Sequence, residues 1–419
     1  MTDGDAQLLD WLRLARSENV GPATFRSLLR RFGDPAAALA ALPDLAARGG
    51  LRRPIRVCGA PQAERELEAG RVAGAQLVTL ADPRYPALLA AVDPAPPLFW
   101  ALGPALGRLD RRSVAVIGAR NASAIGLKLA AHIAREAVAD GFTVVAGLAR
   151  GLDAAAHGGA LAADEGRVDA PTVAVLAGGV DQPYPAQNEP IYRAIVERGL
   201  ALSEAPPGLQ AAARHFPRRN RLISGLSLGV LIMEAAERSG SLITARHAAE
   251  QGREVLAAPG HPSDPRAAGT NALLREGATL VRHWADLREA LEPQLAGPRA
   301  DARDRLLQDR LLQDRLLEEP AGPPGQRRGA AEPERGALSD AAVDRARAAL
   351  LQLLSHAPIA VDDLFRAAAL GPAEGAAALL ELELAGLAER EPGGAARLAS
   401  GAEDETGRDA GGRDAPDGL

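Results

Sequence analysis

The stretch Arg214-His215-Phe216-Pro217-Arg218-Arg219-Asn220-Arg221 puts four arginines into eight residues with no acid among them. Guanidinium groups fork onto phosphate oxygens, and a ring set among them offers a face to a base, so this composition suits a strand of nucleic acid. A solvated loop ahead of a helix at Leu222 has the same composition, and the segment alone leaves both readings open. Gly118-Ala119-Arg120-Asn121-Ala122-Ser123-Ala124-Ile125-Gly126 follows an apolar run and opens a helical pattern. Such a strand-to-helix turn presents unpaired amides and a positive helix end to an anion, with Arg120 and Ser123 as further donors. A tight turn carrying a surface arginine is the plain alternative. Gly147 lies in a second turn of this kind, on the same sheet edge, with Asp153 placed to cap the helix behind it. Ser239-Gly240-Ser241-Leu242-Ile243-Thr244 is a third small, hydroxyl-rich loop leading into a helix.

Other chemistries find little support. No Gly-x-Gly-x-x-Gly and no Gly-Lys-Ser/Thr occurs, so neither a nicotinamide dinucleotide nor a hydrolysed triphosphate is expected, and no cofactor is assigned. His157 stands alone on its helix and reads as a packed residue. The seven histidines show no metal-ligand spacing with carboxylates, so no metal is expected. Cys58 is the only cysteine, which excludes an internal disulfide framework and fits a reducing compartment. With no run of ~18 apolar residues and no apolar signal region near Met1, the expectation is a soluble, cytoplasmic protein without membrane insertion.

The elements that must position these residues can be read from periodicity. Ser113 to Ile117, Thr143 to Val145, Thr172 to Leu176, Leu200 to Ser203, Leu228 to Ile232, Glu254 to Ala257 and Thr279 to Val281 are short apolar runs separated by helical stretches. This predicts an α/β fold, a doubly wound, Rossmann-like sheet covered on both faces, with Leu77 to Leu80 and the passage Pro94 to Pro97 extending one edge. Residues 1–75 are expected to be a helical module. Its Asn19-Val20-Gly21-Pro22 turn fits either a bland helical hairpin or a helix-hairpin-helix (SAM-like) unit. The sheet domain is placed at 76–292, a linker with the repeat Asp304-Arg305-Leu306-Leu307-Gln308 at 293–338, a winged helix at 339–400 and a disordered acidic tail at 401–419.

Net charge of -6 argues against a nucleic-acid binder until it is located along the chain. Residues 340–400 hold 9 acidic and 5 basic residues, and 401–419 hold 6 and 2, which leaves the rest slightly basic. The third helix of the expected winged helix carries Glu374, Glu381 and Glu383 and no cation. Such a helix is expected to repel phosphate and to make a protein contact in place of a duplex contact.

Taken in order, Val116-Ile117-Gly118-Ala119-Arg120, Gly147-Leu148-Ala149-Arg150-Gly151-Leu152-Asp153, Tyr184-Pro185-Ala186-Gln187-Asn188, Phe216 to Ser227, Ser239 to Ala245 and Gly269-Thr270-Asn271 resemble the DNA-processing protein A family, also called DprA or Smf. The resemblance spans residues 80 to 285. It implies an extended Rossmann-like fold that binds single-stranded DNA without base specificity, forms a homodimer, protects incoming strands and helps load the RecA recombinase during natural transformation. Carried onto this chain, it implies that Arg120 and Ser123 hold a backbone phosphate with Gly118 allowing close approach, that Arg218, Arg219 and Asn220 extend the groove beside Phe216, and that Gly147, Gly240, Ser241 and Thr244 complete it. No catalytic residue is implied. Ala119, Ala146 and Ala177 depart from the family pattern, each removing a hydroxyl or adding a methyl near the crevice. The competing expectation is an enzyme, a Rossmann-like nucleotide phosphoribohydrolase. Its Pro-Gly-Gly-x-Gly-Thr-x-x-Glu signature is not continued after Pro259-Gly260.

Overall fold

Apolar runs of four or five residues are too short for helices and hydrophobic on both faces, which is the pattern of strands covered by helices on each side. In the computed structural model, which describes residues 3–109, 112–163, 170–296, 339–391 and 393–399, these runs become one sheet. The linker repeat and the acidic tail lie outside the described residues. The chain begins with helices α1 (Asp3–Arg16), α2 (Pro22–Phe32), α3 (Pro35–Arg48) and α4 (Ala60–Val72). It continues through β1 (Gln76–Thr79), α5 (Ala87–Ala90), β2 (Leu98–Leu102), β3 (Ser113–Ile117), α6 (Ala124–Ala139), β4 (Thr143–Ala146), α7 (Leu152–Ala163) and β5 (Thr172–Val175). Then come α8 (Glu189–Arg198), β6 (Leu200–Ser203), α9 (His215–Gly225), β7 (Gly229–Ile232), α10 (Ser241–Glu250), β8 (Glu254–Ala257), α11 (Ala268–Arg275), β9 (Thr279–Leu280) and α12 (Trp284–Ala296). The last stretch holds α13 (Asp340–Leu353), β10 (Ile359–Ala360), α14 (Val361–Ala367), α15 (Pro372–Leu384), β11 (Ala388–Glu391) and β12 (Ala395–Leu398). Among the described residues no helix is long and apolar enough to cross a membrane.

These elements form two compact units, one built from residues 60–296 with the first residues of α1, the other from residues 10–59 together with the C-terminal segment. In the first, the strand order is β1-β2-β6-β5-β4-β3-β7-β8-β9. From β6 to β9 all pairings are parallel, while β2 pairs antiparallel with both β1 and β6 and so extends one edge. Strand alternation divides the core. Val114, Val116 and Val144 face Ile133 and Ala137 of α6 and Leu287 of α12, whereas Ala115, Val145 and Val173 face Leu222 and Ile223 of α9 and Ala248 of α10. The winding reverses between β3 and β7, so their carboxyl ends flank the crevice where an open α/β sheet takes its ligand.

His157, on α7, is fully buried beneath this sheet. Thr172 Oγ1 donates to the Val144 carbonyl at 2.8 Å, so it can only accept from His157 Nδ1, 2.7 Å away. That places a proton on Nδ1, and burial first, then the Arg219 charge, pushes the pKa down from 6.5 to about 3, which keeps the ring neutral at physiological pH.

The second unit joins the two ends of the chain. Pro22 and Pro35 each start a helix, Gly33 ends α2 at φ 83°, and Asp34 caps α3 by accepting from the Ala37 amide at 2.9 Å. Against α2 and α3 lies α15, the third helix of the winged helix, buried on every side from Ala377 to Leu384. Two of its three acids, Glu381 and Glu383, point inward. Arg347 donates to Glu381 at 2.8 Å, and Arg390 forks onto Glu383 at 2.7 and 3.0 Å while Thr24 of α2 adds its hydroxyl at 3.3 Å. Asn19, at the helical turn, donates to the Leu384 carbonyl at 3.0 Å. This helix packs on the chain's own N-terminal helices α2 and α3.

Two outcomes follow for stability. A Cβ on Gly49 would stand 1.9 Å from the Glu381 carbonyl oxygen, so Gly49→Ala should lower the thermal midpoint by an overpacking cost of about 1–3 kcal/mol, and an unchanged midpoint would refute the packing of α15 on α3. For His157, the unfolded ring takes up a proton below pH 6.5 that the folded chain refuses down to about 3. Its contribution to stability is whole above that window and falls by about 1.4 kcal/mol per pH unit within it. Urea melts of His157→Asn at pH 7.5 and pH 5 should show a shallower loss than the unsubstituted chain; equal losses would place the ring in water.

Candidate nucleic-acid interface

A cavity of about 680 Å³ opens at the carboxyl ends of β3 and β7. Of the residues singled out in the sequence, Gly118, Arg120, Phe216, Arg219, Asn220, Gly240, Ser241 and Thr244 line it, while Ser123, Gly147 and Arg218 do not. The arginine cluster is not a loop. Helix α9 begins at His215, and helical periodicity sorts the four guanidinium groups into different environments. Arg214 and Arg218, four residues apart, are exposed, Arg219 is buried, and Arg221 is paired with Glu204.

Arg219 is only 6% exposed. Its guanidinium donates to the Gly147 carbonyl at 2.5 Å and to the Val175 carbonyl, and its Nε reaches Asn220 Oδ1 at 3.3 Å. A Cβ on Gly147 would lie 2.3 Å from this group, so glycine is required where β4 meets its loop. Burial pushes the Arg219 pKa down to about 10 and the Asp153 carboxyl up, each opposed by the charge of the other. Arg219 stays charged at neutral pH. Asp153 does not cap its helix as expected; its Oδ2 accepts from the amides of Gly147 at 3.0 Å and Ala149 at 3.3 Å, closing the β4–α7 loop on itself.

Above this buried pair stands the Phe216 ring. Arg120 lies over it at 5.2 Å, Arg219 at 5.7 Å, and Tyr184 meets it edge-on at 5.9 Å. Tyr184 is 52% exposed at the rim and was not among the residues assigned from sequence; with only three tyrosines in the chain, one inside a quoted motif was a usable signal. Arg238, exposed on the cavity wall, was missed as well. Across the cavity, α10 starts at Ser241, whose amide donates to Ser239 Oγ at 3.4 Å, with no acid in its first turn, and Asn220 Nδ2 donates to the Gly240 carbonyl at 3.3 Å. Thr244 is 1% exposed and sits behind that turn.

The turn after β3 differs from the expected phosphate cradle. Ser123 caps α6 by accepting from the Gly126 amide at 2.9 Å, and both its donors, N and Oγ, go to the carboxylate of Glu234. A Cβ on Gly126 would stand 2.4 Å from Glu234 Oε1, and one on Gly118 would stand 2.8 Å from the Glu234 carbonyl oxygen. The room these glycines make is taken by residue 234. Among the described residues no group of three or more His, Cys, Asp or Glu is arranged to hold a metal ion.

Three family descriptions match the chain: DNA recombination-mediator protein A over residues 76–292, a DprA-like N-terminal HHH domain over 5–69 and a DprA winged helix domain over 332–394. DNA processing protein DprA of Bacillus subtilis is 37% identical over 231 residues, 55% of this chain and 76% of that one. Protein Smf of Synechocystis is 34% identical over 334 residues, 78% and 81% of the two chains. The solved structure of DNA processing protein A from Streptococcus pneumoniae superposes with a TM-score of 0.55 at 32% identity, covering 68% of this chain and 97% of that one. Sheet topology, order of motifs and the three matched segments agree, and the chain belongs to the DNA-processing protein A family.

Proposed function

We propose that this chain binds single-stranded DNA without reading its sequence, through the cavity between the β3 and β7 loops. The observation that carries the reading is the Phe216 ring, held between a guanidinium and a second aromatic edge at the mouth of a crevice whose exposed charges are arginines. Where Arg120 swings from the ring onto a backbone phosphate, the face it frees can stack on any base, since every base has a π-face. Arg120, Arg214, Arg218 and Arg238 take phosphates; Gly240 and Ser241 offer the start of α10, whose first turn holds no acid. Arg219, Gly147, Asn220 and Thr244 act from behind, by fixing the frame on which Phe216 stands. Gly118 and Ser123 serve the turn and its carboxylate.

The role is that of a mediator and not of an enzyme. Asp153 is the one acid among the residues lining the cavity, its carboxylate buried and engaged by two loop amides, and Glu234 at the cavity's edge is engaged by the amide and hydroxyl of Ser123, so a nucleotide phosphoribohydrolase would lack a free carboxylate there. As the family membership suggests, the chain acts in the cytoplasm as a homodimer, protects incoming strands and passes them to the RecA recombinase during natural transformation.

Fluorescence anisotropy with labelled oligo-deoxythymidine tests the reading: binding should be tight and salt-sensitive, and its absence at low salt would sink the proposal. Phe216→Ala should cost about 1–3 kcal/mol of binding. Arg218→Ala should weaken binding alike for all sequences and flatten the plot of log K against log salt by about 0.7, with an unchanged melting temperature. Arg219→Ala should instead lower the melting temperature, because Asp153 is left buried without its cation at a cost of about 3–5 kcal/mol.

A further inference from the structure

At the point where the winding of a doubly wound sheet reverses, the first helix after the central strand usually greets a phosphate with its amino end. Here that helix is α6, sixteen residues long, and its amino end already holds an anion. Glu234 stands two residues after the end of β7 and reaches the neighbouring turn after β3. Its Oε2 accepts from the Ser123 amide at 2.9 Å and its Oε1 from the Ser123 hydroxyl, while its own carbonyl accepts from the Ala119 amide at 2.7 Å. Gly126 admits the carboxylate and Gly118 admits the backbone behind it. Arg266, whose guanidinium feels the Glu234 charge, is itself forked onto Asp264 at 3.0 and 2.9 Å.

We propose that Glu234 is a specificity-determining residue, a resident carboxylate that occupies the anion position of α6 and thereby keeps free nucleotides and terminal phosphate monoesters from seating their phosphate in the β3–α6 turn at the edge of the crevice. The proposal rests on the single-strand reading of the same site. A monoester carries close to two negative charges at neutral pH, whereas a diester inside a strand carries one. An anion entering the turn would have to displace Glu234 from both Ser123 donors or lie against its charge, and the penalty is steepest for the dianion. An internal diester need not enter. It can lie higher, against Arg120 and the start of α10, where no acid stands in the first turn. In this way a Rossmann-like crevice that would otherwise suit a mononucleotide is reserved for a chain of nucleotides, and the abundant small phosphates of a cell do not compete with it.

The test uses the full chain and two probes, inorganic phosphate and deoxyadenosine monophosphate, titrated calorimetrically without DNA at constant ionic strength. The unsubstituted chain should show no saturable heat with either probe in the millimolar range. Glu234→Gln, which keeps the shape and loses the charge, should bind them at least about tenfold more tightly. Glu234→Ala provides a second variant, with melting curves to establish that each is folded, and Ser123→Ala, which leaves the carboxylate in place, should gain no phosphate binding. A 5′-phosphate on oligo-deoxythymidine should change the affinity of the unsubstituted chain by less than about twofold, within the ordinary effect of one more screened charge. Saturable phosphate binding by the unsubstituted chain, tighter binding of the 5′-phosphorylated strand, or a folded Glu234→Gln as indifferent to phosphate as its parent would each overturn the proposal. Because the phosphate titrations contain no DNA, failure of the single-strand reading would appear separately, as absent oligonucleotide binding.

Discussion

The guanidinium of Arg219 is withdrawn from water by α9 and receives in exchange the carbonyls of Gly147 and Val175 and the field of Asp153. A cation of that size loses several kcal/mol of hydration on burial, so the arrangement holds only while every replacement partner stays in place. Each partner belongs to a different element. Gly147 follows β4, Val175 ends β5 and Asp153 lies in the first turn of α7, and one side chain from α9 ties them together. The same group lies beneath the ring of Phe216, so the position of this half-buried ring is inherited from the buried charge. A substitution at Gly147 would push on the guanidinium first and reach the ring second.

The arginine cluster shows how far composition reads into a site. Its density of cations was visible in the sequence, and so was its neighbourhood of three loops after three strands. What composition cannot show is direction: a rotation of 100° per residue turns Arg219 inward and leaves Arg218 in solvent. Placing α9 to start at His215, and not near Leu222, would have been enough to separate the two, since Arg214 and Arg218 then share a face. The sheet itself was legible because short β-branched runs and helices alternate, and that alternation admits few topologies.

Two features were hidden for a common reason, namely that they depend on contacts between residues far apart in the chain. Glu234 and Ser123 are 111 residues apart, and nothing local to either announces the other. The signal available was an acid standing two residues after a strand beside a turn with glycine three residues beyond its serine, which becomes informative only once β3 and β7 are known to be neighbours. The docking of α15 is similar. Its sequence is apolar on all sides apart from Glu374 in its first turn and the later Glu381 and Glu383, and a helix of that kind is either buried or unstable. Read alone, Glu381 and Glu383 mark a surface; read with Arg347 and Arg390 they are the polar part of a core. The duplex-contacting face of a winged helix is thereby spent on the N-terminal helices.

The carboxylates near the cavity also decide where a polyanion can lie. Glu234 holds the amino end of α6, and Asp153 holds the amides of the β4–α7 loop, so two of the three turns that face the crevice are already provided with negative charge. The third, at Ser241, is left without an acid and looks across at Arg120 and Phe216. Oriented amides attract an anion only where no internal one is closer, because the field of a helix end falls away within its first turn. The internal carboxylates thus confine a strand to the lane between α9 and α10. The overall charge of -6 has no bearing on that lane, since exposed charges farther away than a Debye length of ~8 Å are largely screened.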